Sequence, residues 1–284
     1  MRRLSLLLLF CGCVCPALSA QGRPTETGCY SFAEKNEPYK KTLWDGYEIS
    51  LGPARNSEET ETACTAAVYN RAGKVVFRTN GFNVVFDEDL TGEDFDGDGK
   101  PDVVFRTDTG GGNHCCWAYI IISLAPKPHK LFEIPMEGRV DFEKDKDGKM
   151  VIWERVSVPG QPTSMAARPF AAKIFRDRDG KLVDVTPEFC GTKDERLERG
   201  YLSPEDLGKL GDAENRDNTE NITSTLDSRI SQHVFCGEYD EALKDINLWP
   251  PDRRGDVMKN LAEAFKDEYP EFVTKLKKIM NEDR

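Results

Sequence analysis

The chain has 284 residues, 38% of them hydrophobic, and its 50 acidic residues outweigh 39 basic ones for a formal charge of −11. That acidic excess argues against nucleic acid or anionic membrane as a partner, because both are bound through basic patches. The length suits one large domain or two modest ones, at about 100–200 residues per domain.

Arg2 and Arg3 precede an apolar run from Leu4 to Cys15, and Pro16-Ala-Leu-Ser-Ala20 follows. A charged start, a short apolar stretch and a small-residue exit form the pattern of a secretory signal over residues 1–20. The run is shorter than the roughly 20 apolar residues of a membrane-spanning helix, and no later stretch comes close, so no transmembrane span is expected. Phe10-Cys11-Gly12-Cys13 also resembles a bacterial lipobox, which leaves a lipid anchor at Cys13 as a second reading. The expected location is secreted or periplasmic.

Beyond the signal the chain keeps six cysteines: Cys29, Cys64, Cys115, Cys116, Cys190 and Cys236. An even number in an exported chain reads as disulfides. Proximity in sequence favours Cys29–Cys64, Cys115–Cys116 and Cys190–Cys236. Adjacent Cys115 and Cys116 could instead point to opposite faces of a strand and pair elsewhere.

From residue 28 to 190 short runs rich in Val, Ile, Phe and Tyr alternate with Gly, Asp, Asn and Pro. The expected strands are Tyr47–Leu51, Ala63–Tyr69, Lys74–Arg78, Asn83–Phe86, Asp102–Arg106, Trp117–Leu124, Lys130–Ile134, Lys149–Glu154, Arg168–Phe175 and Lys181–Val185. Asn70-Arg-Ala-Gly73 and Arg176-Asp-Arg-Asp-Gly-Lys181 read as hairpin turns. No helix-length periodicity interrupts these runs, so the sheet should be antiparallel.

Within this region Asp94-Phe-Asp-Gly-Asp-Gly-Lys-Pro-Asp102 carries the strongest chemistry. Asp94, Asp96 and Asp98 place carboxylates at alternate positions, Gly99 allows a sharp turn, the Lys100 carbonyl faces inward and Asp102 closes the loop. Such a loop surrounds a hard cation that takes six to eight oxygen ligands, and calcium fits better than magnesium, which keeps its waters. Without an ion the stretch would be an acidic turn. It is not an EF-hand, because Phe105 stands where a bidentate Glu is required and a strand follows. Asp145-Lys-Asp-Gly148 and Asp177-Arg-Asp-Gly180 lack the full acid set and read as turns.

Residues Asp94 to Phe105, DFDGDGKPDVVF, resemble the calcium loop of FG-GAP or VCBS-type repeats, the units of integrin-like β-propellers. The continuation Thr109-Gly-Gly-Gly-Asn-His-Cys-Cys-Trp117 resembles exported bacterial proteins with a GG-x-HCC segment after such a loop. The resemblance spans about residues 63–155 and carries the calcium ligands to Asp94, Asp96, Asp98, Lys100 (through its carbonyl) and Asp102. Only one complete loop is present, where a propeller would repeat it in every blade. The expectation is therefore a propeller-like sheet or a sandwich.

His114 beside Cys115 and Cys116 suggests zinc or a thiol nucleophile. Adjacent ligands reach one zinc poorly, however, and an exported thiol is oxidised by default. His129 and His233 stand isolated. G-x-S-x-G, H-E-x-x-H and P-loop signatures do not occur.

Residues 191–220 are polar and acidic and read as a linker. Residues 221–284 carry helical stripes: Ile222, Leu226, Ile230, Val234; then Ala242, Leu243, Ile246; then Val257, Met258, Leu261, Ala264, Phe265; then Phe272, Val273, Leu276, Ile279. Ser203-Pro-Glu-Asp206 is a helix start, and Trp249-Pro-Pro251 a helix stop. The expected class is α+β, an antiparallel β-rich domain followed by a C-terminal helical segment. The expected function is an exported calcium-binding structural or binding module for an unknown protein or carbohydrate. A cell-envelope hydrolase with paired carboxylates and a helical protein-interaction module are the alternatives.

Overall fold

The computed structural model describes residues 27–29, 38–53, 64–108, 117–136, 138–160, 168–197, 199–210 and 216–282. The signal-like segment 1–20 with Cys13, the glycines of 110–112, His114, Cys115 and Cys116 all lie outside the described residues.

A two-residue strand β1 (Thr27–Gly28) precedes three successive four-stranded meanders. The first contains β2 (Tyr39–Thr42), β3 (Glu48–Pro53), β4 (Cys64–Tyr69) and β5 (Val75–Gly81). The second contains β6 (Asn83–Phe86), β7 (Asp102–Asp108), β8 (Trp117–Ser123) and β9 (His129–Met136), and β1 adds to the edge of β6. The third contains β10 (Val140–Lys144), β11 (Met150–Ser157), β12 (Phe170–Arg178) and β13 (Lys181–Asp184). Every described strand pairing is antiparallel. Turn chemistry sets the hairpins as the sequence implied. Asn70 Oδ1 accepts from the amides of Ala72 and Lys74, and Gly73 and Gly180 adopt the positive φ that glycine tolerates.

The second sheet is buried on both faces. Val103, Phe105, Ile120 and Ile122 face a core shared with Ile49, Leu51, Ala66 and Val68 of the first sheet. Val104, Tyr119 and Ile121 face the opposite core, shared with Val140, Met150 and Ile152 of the third sheet. The period-two alternation of a strand divides one continuous apolar run between two cores, as in any sheet covered on both sides. The far face of the third sheet, with Val151, Trp153, Ala172 and Ile174, is covered by helix α1 (Thr186–Phe189) and a 3-10 turn at Glu195–Leu197. Three antiparallel sheets stacked face to face and then helices make the α+β class expected from the sequence. The stack does not close into a ring among the described residues.

After α2 (Pro204–Gly208), capped by a Ser203–Asp206 capping box, come α3 (Arg216–Phe235), α4 (Tyr239–Ile246), α5 (Pro251–Ala264) and α6 (Pro270–Glu282). Their apolar stripes converge on one core around Leu226, Ile230, Ala242, Trp249, Leu261 and Phe272. Leu197, Leu202 and Leu210 are buried as well, so much of the stretch that reads as a linker is anchored by its leucines. Helix α3 starts at Arg216, ahead of residue 221, where the helical segment is expected from the sequence to begin.

Strand β13 pairs with β12 only from Phe175 onward, which leaves the edge of β12 open between Phe170 and Ile174. Side chains close it. Ser228 Oγ accepts from the Phe170 amide, Gln232 exchanges two hydrogen bonds with Ala172, and Thr186 Oγ1 accepts from the Ile174 amide. Buried backbone groups must find partners, and here the helical half supplies several of them.

Two disulfides close the described structure, Cys29–Cys64 and Cys190–Cys236, both as their sequence proximity suggested. The second ties the end of α1 to the end of α3 across 46 residues. Replacing both cysteines by serine should lower unfolding free energy by about 2–4 kcal/mol in a urea titration, with the folded far-UV spectrum kept. Unchanged stability would show that the helices hold to the sheet without this bond.

Candidate metal centre

The loop between β6 and β7 is built on a clasp. The Asp102 amide donates to Glu93 O at 2.8 Å, the Gly92 amide donates to Asp102 O at 2.9 Å, and Thr91 Oγ1 accepts from the Val104 amide at 3.0 Å. Phe95 is the plug. It is 3% exposed and packs edge-on against Phe142 of the third sheet, with ring centroids 5.6 Å apart. With Phe95 turned into the core, its neighbours Asp94 and Asp96 are both held at the surface end of the loop.

Side chains and amides then wind the loop on itself. Asp94 accepts from the Gly97 amide at 2.7 Å and the Gly99 amide at 2.9 Å, and Asp96 Oδ1 accepts from the Asp98 amide at 3.1 Å. Gly97 and Gly99 both have positive φ, +76° and +81°, where a side chain would be strained.

Asp94, Asp96 and Asp102 each place an oxygen within 4.8 Å of the other two. At such spacing each pair of negative charges repels by about 3–4 kcal/mol for an effective dielectric of about 20. Asp102 is fully buried, and while its Oδ2 accepts from the Phe95 amide at 2.8 Å, its Oδ1 has no hydrogen-bond partner. Burial above all, and then the charges of Asp96 and Asp94, push the Asp102 carboxyl up to about 7; hydrogen bonds from the Phe95 amide and the Ser123 side chain act the other way. Burial also raises Asp96. Lys144 feels Asp94 but is bonded to Glu93 at 2.7 Å.

These residues fit a hard divalent cation. The donors are carboxylate oxygens, no described cysteine or histidine joins them, and a buried oxygen lacks a partner. The structure therefore brings together three of the four aspartates of the motif. The fourth, Asp98, is exposed outside the cluster and accepts from the Lys100 amide at 2.7 Å; Lys100 is exposed in the same turn. Asp145–Gly148 forms the β10–β11 turn, as read, whereas Asp177 and Arg178 still belong to β12 and only Asp179 and Gly180 make the β12–β13 turn.

One site has no sequence signal of its own. His233, isolated in the sequence, is buried on α3 with Nδ1 2.7 Å from Glu238 and Nε2 3.4 Å from Asp245, and Asp245 also receives Arg229. The four-residue spacing of Arg229 and His233 puts both on one helix face, but their acids come from beyond the turn at Gly237. His129 is exposed and bonds only locally, to Lys127 O.

The chain matches no family model, no curated protein and no solved structure at a significant level.

Asparagine at 102 keeps the shape and the acceptor for Phe95 while removing the buried charge. Asp102→Asn should melt above the wild type in chelator and gain less from added divalent cation. A variant that melts below the wild type in chelator would show that the three carboxylates impose no electrostatic cost.

Proposed function

We propose that this is an exported β module whose stacked sheets are stabilised by calcium at Asp94, Asp96 and Asp102, and that it serves as a structural or ligand-binding protein of the FG-GAP or VCBS type. The observation that carries the reading is the partnerless Oδ1 of Asp102, buried at the start of a doubly covered strand with two more carboxylates within 4.8 Å. A cation would relieve the repulsion and fill that oxygen's missing contact at once. The loop's position between neighbouring strands of a four-stranded meander agrees with its resemblance to propeller-repeat loops. Because Phe95 plugs the core between the second and third sheets, an ion held on either side of it would tighten that stack.

Export is supported by two disulfides, which persist in oxidising compartments, together with the signal-like start. No described helix is long and apolar enough to cross a membrane. A cavity beside the loop, of about 410 Å3, is bordered by Asp94, Asp96, Lys144, Lys149 and Arg176, and gives the module a concave surface next to the ion.

Thermal unfolding after chelation, followed by titration with calcium, tests the reading. Binding to the folded state alone adds about 2.7 kcal/mol at a hundredfold excess over Kd. The melting temperature should climb with calcium and much less with equimolar magnesium. Asp96→Ala should abolish the response, while Asp98→Ala, whose carboxylate lies outside the cluster, should keep a larger part of it. A flat calcium response in the wild type would leave the loop an acidic turn.

A further inference from the structure

Acidic residues outnumber basic ones across the chain, yet one cavity reverses the balance. It lies where the third sheet meets α3, has a volume of about 330 Å3, and is lined by Arg139, Arg155, Arg196, Arg199 and Arg229. Its acidic lining is Asp141, Glu154 and Glu195. The volume falls at the small end of pockets that hold organic ligands, roughly 300–1,000 Å3. None of the aspartates of the metal loop borders it, so what it binds is independent of the calcium reading.

The arginines come from separate parts of the fold: the start of β10, β11, the turn after α1, and α3. Four are held by carboxylates. Arg139 bonds Asp141 at 2.9 Å, and Arg196 bonds Asp194 at 2.6 Å and Glu143 at 2.8 Å. Arg199 bonds Glu238, and Arg229 makes two bonds to Asp245, at 2.6 and 3.2 Å. A guanidinium has five N–H donors, so these pairs fix position and still leave donors over. Arg155 differs. Its guanidinium lies over the Phe170 ring, 4.7 Å from the centroid, and it has no carboxylate partner among the described residues.

Hydrogen bonding in the wall is unbalanced in the same sense. Trp153, 3% exposed, keeps a buried Nε1 with no acceptor, and so does Arg199 at Nε. Arg196 covers the Trp153 ring at 3.5 Å. Ser228 Oγ accepts from the Phe170 amide and has its own hydroxyl hydrogen to give. The two unmatched atoms are both donors, while the acceptors of the wall are chiefly the carboxylates of Asp141, Glu154 and Glu195.

We infer that this cavity binds a small organic carboxylate, with Arg155 as its principal charged contact. The planar guanidinium fork matches a carboxylate in two-point contact. Trp153, Phe170, Ala171 and Ala172 add an apolar wall that a bare inorganic ion would leave unused. The four paired arginines, their charge matched by their carboxylate partners, form a fixed frame around the one whose fork is open.

Calorimetric titration of the full chain at fixed ionic strength with benzoate and with succinate tests this, with benzamide, succinamide and inorganic phosphate as comparators. At least one of the two carboxylates should bind, its neutral amide should not, and phosphate should bind more weakly. Arg155→Gln should weaken the carboxylate by about tenfold or more, the effect of losing one charged hydrogen-bonding partner. Arg178→Gln, which loses only an exposed pair with Glu188, should leave it unchanged. Melting temperatures of both variants separate lost binding from lost folding. Failure of both carboxylates, equal affinity in Arg155→Gln, or phosphate binding as tightly as the better carboxylate would each overturn the assignment.

Discussion

Burying an ionised carboxylate at the start of an apolar strand is costly unless something compensates it, and that cost shapes the middle of this fold. Asp102 opens β7, whose next three residues, Val103, Val104 and Phe105, are fully buried against two different cores. The strand cannot shift its register to expose the aspartate without turning those apolar residues the wrong way. One oxygen is matched by the Phe95 amide, and that bond also sets where Phe95 enters the core. A valine at 102 would remove the charge but strand the Phe95 amide. The loop's glycines, its plug and its wound carboxylates all follow from the need to keep Asp102 where it is.

The clustering of Asp94, Asp96 and Asp102 was legible because these aspartates are close in sequence. Alternating aspartates and a turn glycine need no distant partner to be recognised. The way Asp98 differs from its neighbours was not legible, since its position outside the cluster depends on how tightly Gly97 and Gly99 wind the loop. Strands with dense apolar runs were equally readable: Asn83–Phe86 has the boundaries that its composition suggests. Edge strands were not. β2 reads Tyr-Lys-Lys-Thr, and its lysines suit an exposed edge but look like loop. β10 holds only Val140 and Phe142 as inward residues, too few to separate it from the Asp-Gly turn that follows.

Long-range placement was the other blind spot. Leu197, Leu202 and Leu210 are scattered through polar sequence without helical or strand periodicity, and only the surfaces they meet make them core. The arginine-lined cavity draws on positions from 139 to 229, a spread that carries no motif. Disulfides fall between these cases. Cysteine count and proximity suggested Cys29–Cys64 and Cys190–Cys236, but two open ends with suitable geometry come only from the folded chain.

Helix α3 shows why a stripe can be read correctly and still be half the story. Ile222, Leu226, Ile230 and Val234 do face the helical core. The opposite side does not face water: Asp227, Ser231 and Gln232 are buried, and Gln232 occupies the open edge of β12. A surface helix would show a clean contrast between apolar and solvated faces. Here the polar face is itself an interface, one that meets backbone groups left free because β13 is short. The two halves are therefore complementary in hydrogen bonding and not only in shape. Detached from the sheet, α3 would expose the groups that now close β12, while β12 would regain an unpaired edge, the feature that β proteins take most care to cover. The Cys190–Cys236 bond fixes this junction covalently, where separation would cost both halves their partners.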